Sequence, residues 1–174
     1  MACSQTLAGL TRDCTPSMGG IVEVYLANRA DITAVTITSG VITAITKDTG
    51  KKFYKYTFAR NTGSLSSNYT IDDTTGAKFV VSDLLMVFNR METAKRLEIS
   101  ALAQAELVAV VGDANGKYWY LGYDEPLVIS AGDGLTGTAR SDRNGYSITL
   151  QDNSAEMPME VDSTTVASLE TAGV

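Results

Sequence analysis

The sequence predicts a mainly β domain of the α+β class, with one flanking helix over about residues 90–105 and a long projecting β-hairpin. Three observations predict it. Short β-branched and aromatic runs with period-two alternation recur along the chain, bounded by Gly, Asp, Asn and Ser. Only one stretch carries a sustained helical pattern, and it follows the most apolar strand. The segment Gly63 to Gly76 alternates like a hairpin yet is polar along most of its length.

Residues 1–20 read as an N-terminal arm, because Pro16 and then Ser17 to Gly20 break regular structure. A single β-rich domain is expected over 21–151 and an acidic C-terminal arm over 152–174. Ile21 to Leu26 alternates as the first strand, with Val22, Val24 and Leu26 on one side and Glu23 on the other. Ala34 to Thr38 and Val41 to Thr46 flank Ser39-Gly40, a hairpin signal. Lys51 to Ala59 is aromatic and reads as a strand. Gly63 to Ile71 is a polar strand anchored by Leu65 and Tyr69, and Asp72 to Gly76 is its tip. So few anchors predict a hairpin that projects from the domain and meets a neighbour.

Val80 to Phe88 is apolar on both faces, which predicts a central strand. Asn89 then stands where a helix N-cap belongs, and Glu92 lies three residues on, where it reaches back as in a capping box. The helix is expected over Arg90 to Ala105, burying a stripe of Ala94, Leu97, Ala101, Leu102 and Ala105. Leu107 to Val111 returns as a strand. Asp113 to Gly116 is a hairpin turn, and Lys117 to Tyr123 is the most aromatic strand. There Tyr118 and Tyr120 face one way and Trp119, Leu121 and Tyr123 the other. Pro126 to Ser130 is a short strand, Ala131 to Ala139 a Gly-rich loop or bulge, and Tyr146 to Leu150 the last core strand.

Composition bounds the function. Hydrophobic residues make up 44% of the 174, enough to bury a core. The net charge of −6 argues against a grip on nucleic acid through phosphate neutralisation. No apolar run approaches a membrane span, and the opening residues lack a signal-peptide pattern, so synthesis in the cytoplasm is expected. With no histidine, Ser–His–Asp and Cys–His pairs are excluded. Cys3 and Cys14 cannot form a structural zinc site alone. In a reducing compartment they are two small side chains in an arm, and outside the cell they could oxidise.

The candidate chemistry is thin. Gly132 to Gly137 lacks the Lys-Ser/Thr and the helix of a phosphate loop. Asp113-Ala114-Asn115-Gly116 lacks the far carboxylate of a calcium loop. Asp72 with Asp73, and Glu156 with Glu160, lie in polar segments with nothing to raise a pKa, and read as solvated charges. Arg140 and Arg143 flank a loop where they could meet an anion or a neighbour's acidic surface. Asn68-Tyr69-Thr70 matches a glycosylation sequon without any sign of a secretory route. No constellation amounts to an enzyme, no cofactor is expected, and the arms and hairpin point to contacts within an assembly.

Together these segments resemble a family of virion structural proteins of tailed phages and prophages of Bacteroidetes. The likeness runs through Cys14 with Met18 to Ile21, Val41 to Ile45, Lys51 to Tyr54, Phe88 to Leu102, Asn115 to Tyr123, Thr136 to Ala139 and Asp142 to Tyr146. The order of elements is also similar to tail-tube proteins. That resemblance implies a β-sandwich or part-barrel with one flanking helix. It implies a ring-forming subunit, hexameric or dodecameric and stacked, partnered by itself and by other tail or connector proteins, with DNA passing unbound through the lumen. The expected location is the virion. Leu65, Tyr69, Asp72, Asp73, Arg140 and Arg143 are the candidate inter-subunit contacts, with Asn89 and Glu92 as the helix cap. A head–tail connector ring or a capsid decoration protein is the alternative. A β-sandwich adhesin or carbohydrate-binding module built on Trp119 and its neighbouring tyrosines is a further one, weakened because alternation cannot put all four rings on one face.

Overall fold

Residues 8–12 and 14–173 are described by a computed structural model. The alternating runs form strands β1 (Ile21–Asn28), β2 (Ile32–Thr38), β3 (Val41–Lys47), β4 (Tyr54–Thr57), β5 (Gly63–Asp72) and β6 (Ala77–Asn89). Helix α1 (Thr93–Leu102) follows, then β7 (Leu107–Asp113), β8 (Tyr118–Leu121), β9 (Val128–Leu135), β10 (Gly145–Ser154), β11 (Met159–Val161) and the short helix α2 (Ser163–Ala167). The fold is mainly β in two sheets, as the sequence predicts. One sheet has seven strands in the order β2-β3-β11-β8-β7-β1-β4, and the other has four in the order β5-β6-β10-β9.

Two apolar clusters hold the layers. In the first, Val24, Leu26, Ala109, Val111 and Leu121 of the larger sheet face Leu84, Met86, Ile148 and Leu150 of the smaller one. The second lies on the opposite face of the larger sheet. Tyr25, Ala27, Val108, Val110 and Tyr120 meet Ile42 and Ile45 there, covered by Phe53, Val166 and Leu169. Strands β1 and β7 therefore bury both faces, which explains their near-continuous apolar character. The β2–β3 turn forms on Ser39 and Gly40 with φ of 53° and 81°, both left-handed as a two-residue hairpin requires.

Several expectations are corrected. The helix starts at Thr93, not Arg90, and Asn89 does not cap it: that residue ends β6, paired with Gly145. Glu92 holds the cap position without a side-chain cap bond, and its carboxylate pairs instead with Arg90 at 3.2 Å and Lys95 at 3.6 Å. The link from strand to helix is held from elsewhere: Asn144 accepts the Arg90 amide on its carbonyl and the Met91 amide on its side-chain oxygen, at 2.9 Å. Gly145 lets the chain approach this closely, since a Cβ there would lie 2.0 Å from the Phe88 carbonyl oxygen.

The buried side of α1 is Leu102, with Ile99 and Ala105 of the following turn partly covered. Ala94, Leu97 and Ala101, expected inside, are exposed. The strand expected over 51–59 is confined to Tyr54–Thr57. The Gly-rich stretch begins as regular strand β9, with one irregularity opposite Thr149 and Leu150. Tyr123 sides with Tyr120, their rings 6.5 Å apart, because Gly122 turns the chain at a φ of 84°.

The C-terminal residues are no arm. Strand β11 inserts between β3 and β8, parallel to one and antiparallel to the other, and Leu169 is fully buried. Residues 8–12 and 14–20 contain no helix or strand, and Met18 is tied to the turn before β8 by bonds of 2.7 and 2.9 Å to Asn115. Cys14 is exposed with a free thiol, whereas Cys3 lies outside the described residues.

Candidate functional site

The four-stranded sheet and the turns that join its strands carry the candidate contact residues. The sheet's inner face packs on the first core. Its outer face follows from the register: Ser64, Ser66, Asn68 and Thr70 of β5 beside Leu85, Asp83, Val81 and Phe79 of β6. Across β6 stand Ser147, Thr149, Gln151 and Asn153 of β10, and beyond them Asp133, Ala131 and Val128 of β9. Small hydroxyl and amide groups thus flank a half-buried apolar stripe. The fixed charges among these residues are Asp83, which accepts from Gln151 at 2.7 Å, and Asp133, which binds Arg143 at 3.1 Å.

Both edges of this sheet are open, because β5 and β9 are its outermost strands. Strand β5 has ten residues and β9 eight, and neither contains proline or lysine, the usual guards of an exposed edge. Val128 and Leu135 at the two ends of β9 are exposed.

The expected contact residues divide. Leu65 packs on the first core of its own domain, so it is not a free contact. Tyr69, in the distal half of β5, is 56% exposed. Asp72 closes the tip, accepting the amides of Thr74 at 2.8 Å and Thr75 at 3.3 Å; these bonds, the Thr74 amide foremost, hold its carboxyl below the ordinary range. Asp73 is exposed beside it. Arg143 is engaged with Asp133, while Arg140 is exposed without an ion pair among the described residues. These residues do not form one site: the tip lies at the far end of β5, and Arg143 lies two residues before β10, near the opposite end of the sheet.

Two features escaped the sequence reading. Ile71 is 60% exposed and shares a face with Tyr69, two residues away. Its alternation with Tyr69 was the available signal. The second is a cleft of about 400 Å³ lined by Met18, Ile21, Val22, Phe58 and Arg60. It lies at the start of β5, where a Cβ on Gly63 would touch Phe58 at 2.6 Å and Ile21 at 2.8 Å. Nothing local in the sequence announces it, since its walls come from three separated segments.

Two buried charges act as pins. Asp152 accepts the Gly122 amide at 2.7 Å, while its other oxygen has no partner; burial foremost, with Asp124 nearby, pushes its pKa up. Lys47 donates to the carbonyls of Ser168, Leu169 and Thr171 at 2.7, 3.2 and 2.8 Å, and burial pushes its pKa down. Tyr118 and Tyr120 line the second core and Trp119 donates to Asp113 at 3.2 Å, so the rings form no common platform. Among the described residues, no group of three or more His, Cys, Asp or Glu is placed to hold a metal ion. Among them, too, no helix is long and apolar enough to cross a membrane. Compared with protein-family models, curated proteins and solved structures, the chain matches none.

Proposed function

We propose that this chain is a non-enzymatic structural subunit that closes into a ring through its four-stranded sheet, as a tail-tube or tail-ring protein of a phage virion would. The observation that carries the reading is the sheet with two long open edges, β5 and β9. Along β5, β6, β10 and β9 the strands alternate in direction, every pairing being antiparallel. Rotation about an axis near the strand direction brings β5 of a second copy beside β9 with that alternation unbroken. Each joint then satisfies backbone groups that an edge leaves open.

Closure sets the scale. Six four-stranded sheets joined at ~4.8 Å per strand give a ring on the order of 37 Å across, widened by strand tilt. Twelve would double it. The outer face of the sheet would line the bore. Its hydroxyls, amides and acidic groups suit a duplex that must pass without being held, as does the net charge of −6. Other tail or connector proteins would meet the ring at its ends.

Blocking one edge tests the reading. Ser130 is left without a register partner at the irregularity of β9, and the edges and bulges of a sheet are where proline is accommodated. The parent chain should sediment as rings and show them in electron micrographs. Ser130→Pro should remain folded and stay monomeric. A parent that is monomeric at high concentration, or a proline variant that still forms rings, would remove the edge-pairing proposal.

A further inference from the structure

We propose that the tip of the β5–β6 hairpin docks into the cleft of a second copy, joining subunits end to end along the strand direction; this deepens the ring reading and rests on it for its biological setting. Tyr69 and Ile71 present two large apolar side chains to solvent on one face of the distal hairpin, at 56% and 60% exposure. More than half of each is left uncovered by its own domain. The cleft at the other end of β5 offers the complementary surface: apolar walls of Met18, Ile21, Val22 and Phe58. Arg60 is the one charged residue lining that cleft, and among the described residues it makes no ion pair. The tip carries Asp72 and Asp73. Apolar pair and apolar cleft, acidic tip and basic rim, therefore match in both hydropathy and charge.

The geometry sets the kind of assembly. Donor and acceptor lie at opposite ends of the ten-residue β5, roughly 30 Å apart at ~3.3 Å per residue. A surface that cannot meet its own copy face to face gives a head-to-tail contact, which propagates instead of closing. Its direction follows β5, across the direction in which β9 and β5 would pair. Edge pairing would build a ring, and tip docking would stack one ring on the next.

Cysteine pairing tests this apart from ring formation. In a background with Cys3→Ser and Cys14→Ser, one variant carries Ile71→Cys at the tip and another Ala59→Cys in the cleft. Both are made also with Ser130→Pro, so that ring closure is blocked. On mixing and mild oxidation, a disulfide-linked heterodimer is expected, with little homodimer from either variant alone. Adding Arg60→Asp to the cleft partner should cut the yield at least ~10-fold, and Asp73→Lys on the tip partner, which leaves the Asp72 turn bonds intact, should recover it at least in part. Homodimers of the Ile71→Cys variant alone would mean tip-to-tip contact and would overturn the proposal. So would a heterodimer yield no greater than the homodimer background, or one indifferent to Arg60→Asp. Failure of the ring reading would appear separately, as absence of rings in the parent while the heterodimer still forms.

Discussion

Lys47 and Asp152 are buried charges with opposite consequences. The ammonium of Lys47 directs its three protons at the carbonyls of Ser168, Leu169 and Thr171 in the turn after α2, the second of which also accepts the Phe53 amide. Lys47→Met keeps the apolar stem and removes all three charge-assisted bonds. It should cost about 2–4 kcal/mol, with faster amide exchange confined first to residues 163–173. Equal stability by denaturant titration would show that the C-terminal turn does not depend on this side chain. Asp152 carries a raised pKa because burial disfavours its charged form. A carboxyl with a folded pKa above its unfolded value binds its proton more tightly in the native state. Stability is then favoured below the unfolded value of about 4 and falls as pH rises through the folded one. Asp152→Asn stays neutral throughout, so its stability relative to the parent should climb as pH rises above the unfolded value of about 4. Thermal melts over that rise in pH decide the point: a constant difference would mean that the carboxyl titrates normally.

At the scale of elements, sequence periodicity found strands better than it found the helix face. Strand β6 was legible as central because Leu84 and Met86 alternate with Leu85 and Val87, and both faces are covered to some degree. The β2–β3 and β7–β8 turns were legible because Ser39-Gly40 and Asn115-Gly116 offer the required backbone freedom. The helix was legible, but it is three residues shorter at each end than its pattern suggests, and of the expected stripe only Leu102 and Ala105 face the core. Its alanines made a stripe as convincing as the real one, and only the position of Tyr56, whose hydroxyl binds Glu98, and of the sandwich edge chooses between them. The cap was misplaced because β6 keeps pairing through Asn89, which a local reading cannot detect. Leu102→Ala should therefore cost about 2–4 kcal/mol from the cavity it leaves, whereas Leu97→Ala, on the exposed side, should stay within about 0.5 kcal/mol of the parent. Likewise Asn144→Ala, which strips the acceptor from the Met91 amide, should cost about 1 kcal/mol, and Asn89→Ala should be neutral. A reversed order in either pair, measured by chemical denaturation, would put the helix back on its sequence-predicted footing.

At the scale of the molecule, the long-range partners were the illegible part, because composition reports solvent preference and says nothing about register. The segment from Gln151 onward is polar enough to read as an arm, yet Met159–Val161 supplies the strand that joins β3 to β8. A three-residue strand has too few positions for any periodicity to show, and half its pairing is parallel, with a partner more than a hundred residues away. Without β11 the β2–β3 hairpin loses its connection to the rest of the seven-stranded sheet, and the second core loses Val161, Val166 and Leu169. Burial of those three side chains is worth about 1.5–3 kcal/mol each, so the segment contributes on the order of 5–9 kcal/mol. That is comparable with the whole stability of an ordinary domain, roughly 5–15 kcal/mol. A chain ending at Pro158 should consequently lose its cooperative thermal transition and bind a hydrophobic dye, since Phe53, Ile42 and Val110 would be uncovered. The sandwich core between the two sheets contains none of the removed residues, so far-ultraviolet β signal should outlast the loss of cooperativity. An arm predicts the contrary: the shortened chain would melt at the parent's temperature with no dye binding, and the second core would then have to hold together without its C-terminal cover.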